Sequence, residues 1–164
     1  MIEQVAGAPL DAVLQQAVLA PVGIGLARLA GERADLDFVA MGTAKGYHPG
    51  WVYHGLLVGP LHEAALLLDR LFGGSLLPSA FIREMVTARL VGSAMPGRPW
   101  RSPGYGLGVM VEADSGEPLG LTGAGPGSTV AVYRQMPSAG PVVIAAFAHG
   151  DDQGVVEHTA FGLA

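Results

Sequence analysis

Seven serines, five histidines, fourteen acidic residues and one lysine are the side chains of this 164-residue chain with the most obvious chemical uses. No cysteine is present, which excludes a thiolate nucleophile, a disulfide framework and cysteine-type zinc sites. A serine nucleophile needs a base beside it, and a Ser-x-x-Lys spacing supplies one by placing both side chains on one helix face. None of Ser75, Ser79, Ser93, Ser102, Ser115, Ser128 and Ser138 has lysine three residues on. His149 beside Asp151 and Asp152 can serve as a general base with a carboxylate to orient it, although a strand end followed by a helix cap explains the same residues. His48, His54 and His62 with Glu63 invite a metal reading. Their spacings do not share a helix face and no His-Glu-x-x-His pattern exists, so neither a metal nor a cofactor is expected. Trp51, Tyr53 and Trp100, with Tyr47 and Tyr105, can line an aromatic substrate pocket or pack in a core or interface. Arg98 and Arg101 flank Trp100, where they can pair a carboxylate substrate or lie in solvent.

The stretch Gly120 to Ser128, Gly-Leu-Thr-Gly-Ala-Gly-Pro-Gly-Ser, concentrates four glycines and a proline in nine residues. It reads as a glycine-rich turn between two strand-like runs, Tyr105 to Val111 and Thr129 to Arg134. With no Cβ to hold neighbours off, a substrate or another chain element can approach its backbone closely.

The length suits one domain with its own core. Half of the residues are hydrophobic, 14% are charged and the mean hydropathy is +0.40, yet no run of 18 apolar residues occurs and no membrane span is expected. Such an apolar surplus points to an interface, hence to a homo-oligomer or a partner segment. A net charge of −5 with scattered arginines offers no basic stripe, so nucleic acid is not an expected partner. The opening Met-Ile-Glu-Gln has neither the basic nor the apolar region of a secretory signal, and the expected location is the cytoplasm.

Two parts must position these residues: a helical and loop half over 1–104, and strands with a last helix over 105–164. Apolar spacing predicts two short helical pieces in residues 1–20, a helix from Pro60 to Leu71, and another from Pro78 to about Ala88 with Ser79 as N-cap. Gly31 to Gly50 reads as loop with at most short strands. Beyond the Pro- and Gly-rich loop of 96–104 the period drops to two, predicting strands at Tyr105–Glu112, Leu119–Gly123, Thr129–Arg134 and Val142–His149. Asp151 or Asp152 can cap a last helix through Leu163. The expected fold class is α+β, with an antiparallel sheet of three or four strands and flanking helices.

Read in order, the chain resembles the C-terminal part of the serine β-lactamase and D-alanyl-D-alanine peptidase superfamily, particularly its class C and esterase-like branch. Ile2 to Leu10 followed by Val18 to Ile24 is similar to the stretch after that family's Tyr-x-Asn motif. Gly55 to Gly59, the helix at Leu61 to Leu71 and Gly73 to Leu77 resemble its next passage. Tyr105 to Gly108, Leu121-Thr122-Gly123, Gly125 to Ser128 and the strand ending at His149 are similar to its last strands. The resemblance implies a single partial β-lactamase/transpeptidase-like domain, acyl transfer through a serine ester, and an amide or ester substrate such as a β-lactam or D-amino-acid peptide. In Leu121-Thr122-Gly123 it implies the third catalytic motif with leucine where lysine or histidine belongs, Thr122 in the substrate cleft and the Ala124 N–H in an oxyanion hole. Ser-x-x-Lys and Tyr-x-Asn, which precede this region in the family, do not occur, and the chain has no asparagine. The resemblance therefore implies that the N-terminal catalytic half is absent and that this chain alone is inactive. The alternatives are a non-catalytic binding or structural module on the same scaffold, or one chain of a split hydrolase whose other chain supplies that half.

Overall fold

Apolar residues three and four apart give two one-turn helices at the start of the chain, α1 (Ile2–Ala6) and α2 (Leu10–Leu14), broken at Gly7, whose φ of 66° stops α1. The structure is a computed structural model that describes residues 1–43 and 46–162. From α2 the chain continues through helical turns to Val22 and halts at Gly23, with φ 79°. Two short strands, β1 (Arg28–Ala30) and β2 (Leu56–Val58), pair antiparallel as a separate ribbon.

Helix α3 (Leu61–Phe72) matches the expected periodicity closely and carries the buried Glu63 in its first turn. That carboxylate accepts the backbone N–H groups of Gly25, Leu26 and Ala27 at 2.7 to 3.2 Å, pinning the segment before β1 to the helix. Helix α4 (Ser79–Met85) is shorter than expected. Pro78, not Ser79, is its N-cap, and the Ser79 hydroxyl instead accepts from Arg83 Nη1 at 3.3 Å.

The main sheet has six strands rather than three or four, in the sequential antiparallel order β3 (Arg89–Leu90), β4 (Pro103–Tyr105), β5 (Met110–Glu112), β6 (Leu119–Gly125), β7 (Ser128–Gln135) and β8 (Val142–His149). The two additional strands come from within residues 89–105, where runs of two or three residues are too short to show a period. The expected strand Tyr105–Glu112 is itself split by a reversal in which Gly106 N–H donates to Val109 O at 2.8 Å and Gly108 adopts φ 74°.

Strand alternation sends Thr122, Ala131, Tyr133 and Ala146 to the face covered by α5 (Gln153–Phe161), where Ala131, Tyr133 and Ala146 pack with Trp100, Val156 and Ala160. Trp100, Tyr133 and Phe161 meet edge to face, with ring centroids 5.0 to 5.4 Å apart. On the opposite face Leu119 packs with Val109 and Val111 against Phe72 at the end of α3 and Met85 of α4. Asp152 caps α5 by accepting from Gly154 N–H at 2.8 Å, as the sequence suggested, while Leu163 lies outside the described residues. Among the described residues no helix is long and apolar enough to cross a membrane.

Candidate functional site

Strand β6 carries the glycine-rich stretch, and most of what reads as a turn is strand. Only Pro126 and Gly127 lie between paired residues Gly125 and Ser128, with Gly127 at φ 71°. The glycines are explained by close neighbours. A Cβ on Gly120 would lie 2.0 Å from Val132 O and 2.7 Å from a ring carbon of Tyr133. At the tip, the Thr43 N–H and hydroxyl both donate to Pro126 O, at 2.9 and 2.6 Å. Gly127 O accepts from Gly150 N–H at 2.9 Å, and Gly127 N–H donates to Asp151 Oδ1 at 3.2 Å. Gly42 completes the clasp, since a Cβ there would fall 2.1 Å from Gly127 O.

The pairing register determines what the strand offers to its surroundings. Glu112 N–H donates to Pro118 O at 3.1 Å, so the even-numbered residues here turn their backbone groups toward β5. The pairing of β5 with β6 ends at Met110 opposite Gly120. Beyond it, Thr122 and Ala124 present N–H and C=O along an edge with no strand partner among the described residues. Gly123 and Ala124 are exposed and add little or no side chain to that edge. Such an edge can accept an extended peptide in β fashion, and an outward N–H can donate to a carbonyl oxygen or oxyanion.

The side chains of the tripeptide diverge. Thr122 turns toward α5, where its hydroxyl donates to Glu157 Oε1 at 2.6 Å and lies 2.5 Å from the Tyr133 hydroxyl. Glu157, completely buried, also takes a two-pronged ion pair from Arg98, whose Nε and Nη2 donate to its two oxygens. Burial works to raise the Glu157 carboxyl, but the bonds from Arg98 and Thr122 outweigh it and hold the group below the usual carboxylate range. Burial pushes the Tyr133 phenol up, so it remains a neutral hydroxyl. Leu121 lies on the other face opposite Val132 and is 44% exposed. Thus the Thr122 hydroxyl is occupied beneath the strand, and what faces the open edge is backbone.

Arg98 and Trp100 are positioned by a second buried carboxylate. Glu112 accepts the N–H of Arg101 at 3.1 Å, together with the N–H and hydroxyl of Ser102, folding the loop back onto β5. Arg98 therefore has an internal carboxylate partner instead of lying in solvent. Trp100 is 1% exposed and belongs to the core rather than to a pocket wall, because Tyr133 and Phe161 enclose its ring. Trp51 and Tyr53 are 66% and 96% exposed, and the structure does not bring the three aromatics together. Trp51 stacks edge-on with Tyr47 and Tyr53 with His54.

The other candidates have local partners. His48 Nδ1 accepts Gly50 N–H at 3.0 Å, and Glu63 is engaged by backbone amides as described. His149 packs edge-on against Phe147, while Asp151 and Asp152 bond the hairpin tip and the start of α5; neither is hydrogen-bonded to the imidazole. Glu157 and Tyr133 were not singled out from the sequence. A lone carboxylate among Val155, Val156 and Ala160 of a predicted helix is the signal that could have marked Glu157.

No family model matches the chain, and no curated protein matches it. Among solved structures, a D-stereospecific amidohydrolase from Streptomyces sp. superposes with a TM-score of 0.69 at 22% identity, over 99% of this chain and 52% of its own. A penicillin binding protein from Bacillus halodurans gives 0.65 at 14% identity, over 98% of this chain and 51% of its own. The chain spans about half the length of each. The likeness establishes the fold that the resemblance implied: an α+β, β-lactamase/transpeptidase-like arrangement of antiparallel strands and flanking helices, at about half the extent of its solved neighbours.

Proposed function

We propose that this chain is the C-terminal portion of a β-lactamase-like serine hydrolase, carrying the substrate-facing strand of an acyl-transfer site without its nucleophile. The observation that carries this reading is the unpaired edge of β6, where Ala124 directs its N–H outward directly after Leu121-Thr122-Gly123. In amide or ester hydrolysis by a serine, the attacked carbonyl oxygen becomes negative, and a fixed N–H donor stabilises it; one such donor is worth about 10²–10³ in rate. Ala124 supplies one donor, and Thr122 and Ala124 supply backbone groups to align an extended substrate, a β-lactam or a D-amino-acid peptide. The nucleophile and base of Ser-x-x-Lys and Tyr-x-Asn are not among these 164 residues, since the sequence holds neither motif.

The purified chain is expected neither to hydrolyse a chromogenic cephalosporin nor to label with a serine-directed fluorophosphonate. Mixing it with the half of the Streptomyces amidohydrolase that has no counterpart here tests reconstitution, and labelling that needs both polypeptides is the expected result. Turnover by the chain alone overturns the reading. A second reading, a non-catalytic binding module, is favoured by the apolar, 44% exposed Leu121 at the position of the cation. It predicts that the mixture stays unlabelled while an extended D-amino-acid peptide still perturbs the Ala124 amide resonance.

A further inference from the structure

Beyond Gly120, strand β6 has little to hold it. Among the described residues it is paired there on one side only, by β7, and three of its seven residues are glycine. Within Leu121 to Gly125, Leu121 is 44% exposed, and Gly123 and Ala124 are exposed as well. Thr122 is the side chain of this segment that hydrogen-bonds into the interior.

Three other elements converge on its hydroxyl. Glu157 comes from α5, Tyr133 from β7, and Arg98 from the loop that Glu112 folds back onto β5. The proton count fixes the directions. An ionised carboxylate only accepts, so the Thr122 proton goes to Glu157 Oε1 at 2.6 Å and the Tyr133 hydroxyl donates to the Thr122 oxygen at 2.5 Å. Arg98 already engages both oxygens of Glu157, so charge compensation does not require the Thr122 hydroxyl. Strand packing does not require it either, because valine has the same branched shape and an equal liking for strands. What the hydroxyl adds is a fixed distance and direction between β6 and α5. Its anchor is rigid, since Glu157 is completely buried and gripped by the two-pronged guanidinium.

We propose that Glu157 is a positioning residue for the β6 edge: through the Thr122 hydroxyl it sets the rotation of the strand, and hence the direction of the Ala124 N–H two residues on. Thr122 and Ala124 share one phase of the strand, so turning the first carries the second with it. The Thr43 clasp holds the hairpin tip, and the Thr122 tie holds the middle of the strand. Every member of the tie belongs to this chain. Its use in catalysis rests on the hydrolase reading, in which Ala124 is the oxyanion donor and Glu157 acts on it only through Thr122.

Amide nitrogen relaxation on the intact chain tests the tie. In the wild type, Gly123 and Ala124 are expected to be as rigid as the facing Val130 and Val132 of β7, with order parameters of about 0.85. Thr122→Val is expected to drop Gly123 and Ala124 below about 0.6 while Val130 and Val132 stay rigid, and Thr122→Ser is expected to keep the wild-type values. Glu157→Asp keeps the charge for Arg98 but draws the carboxylate back by one methylene, and is expected to loosen the same two residues. Wild-type order in the valine or aspartate variant, loosening spread evenly over β6 and β7, or a serine variant as loose as the valine one overturns the proposal. In the mixture with the unmatched amidohydrolase half, Thr122→Val is expected to slow fluorophosphonate labelling at least about tenfold, and Thr122→Ser to leave it near the wild-type rate. Labelling at the wild-type rate in the valine variant overturns the positioning role. A wild-type mixture that does not label instead overturns the hydrolase reading, and with it the catalytic use of the tie, while the relaxation data decide the tie itself.

Discussion

The two faces of β6, β7 and β8 are finished to different degrees. On the α5 face, Trp100, Ala131 and Tyr133 are at most 1% exposed, and the one buried carboxylate there has bonds to both of its oxygens. On the α3 face the burial stops short of the hairpin tip, leaving Leu121 at 44% and Phe147 at 39% exposure. One face is organised as a core, with shape and hydrogen bonding both satisfied. The other is covered only where α3 and α4 reach, so the same strands are rigidly backed on one side and open to contact on the other.

The sharpest way to break this contrast is to truncate on each side. Trp100→Ala is expected to cost about 3–5 kcal/mol in urea unfolding, whereas Leu121→Ala is expected to cost no more than about 0.5–1 kcal/mol. Similar losses would mean that the two faces are equally structural. Glu157→Ala leaves Arg98 with a mostly buried, unpaired charge and is expected to cost about 3–5 kcal/mol, while replacing both partners with apolar residues restores much of it. The sign with pH follows from the carboxyl being held below its ordinary range. Glu157 and Glu112 give their full stabilisation above the ordinary glutamate pKa and lose it as pH falls through their folded values. Urea midpoints measured on acidification should therefore fall in the wild type and fall less steeply in Glu157→Gln. A more local effect is that of Gly42→Ala, which is forced against Gly127 O and is expected to cost about 1–3 kcal/mol and to speed exchange of the Gly127 amide.

What could be read directly from the residues is what a local period encodes. Helix α3, strand β8 and the Asp152 cap were legible because their signals lie within a few positions of one another. Strands β3 and β4 were not, because two or three residues in a Pro- and Gly-rich segment show no alternation. For Trp100 the sequence left pocket and core both open, since the rings that enclose it, Tyr133 and Phe161, are distant in sequence. The glycines at 120 and 127 announced a close approach but not its partner, which proved to be the protein's own backbone and Tyr133. At the tripeptide, strand position was legible and side-chain direction was not: the Thr122 hydroxyl is held by a glutamate 35 residues away.

The clasp on the hairpin tip has a consequence for the order in which the structure comes apart. Strands β6 and β7 are joined by two residues and can zip locally, but Thr43 reaches Pro126 across 83 positions. Closing so long a loop carries an entropic cost that a few bonds and one glycine contact must offset, whereas the hairpin ladder bears no such burden. The tip should therefore release Thr43 before the ladder opens. In that partly opened state Gly123, Ala124 and Gly125 keep their pairing to β7 but lose the neighbour that fixes their end, making the edge's precision the first property lost on warming.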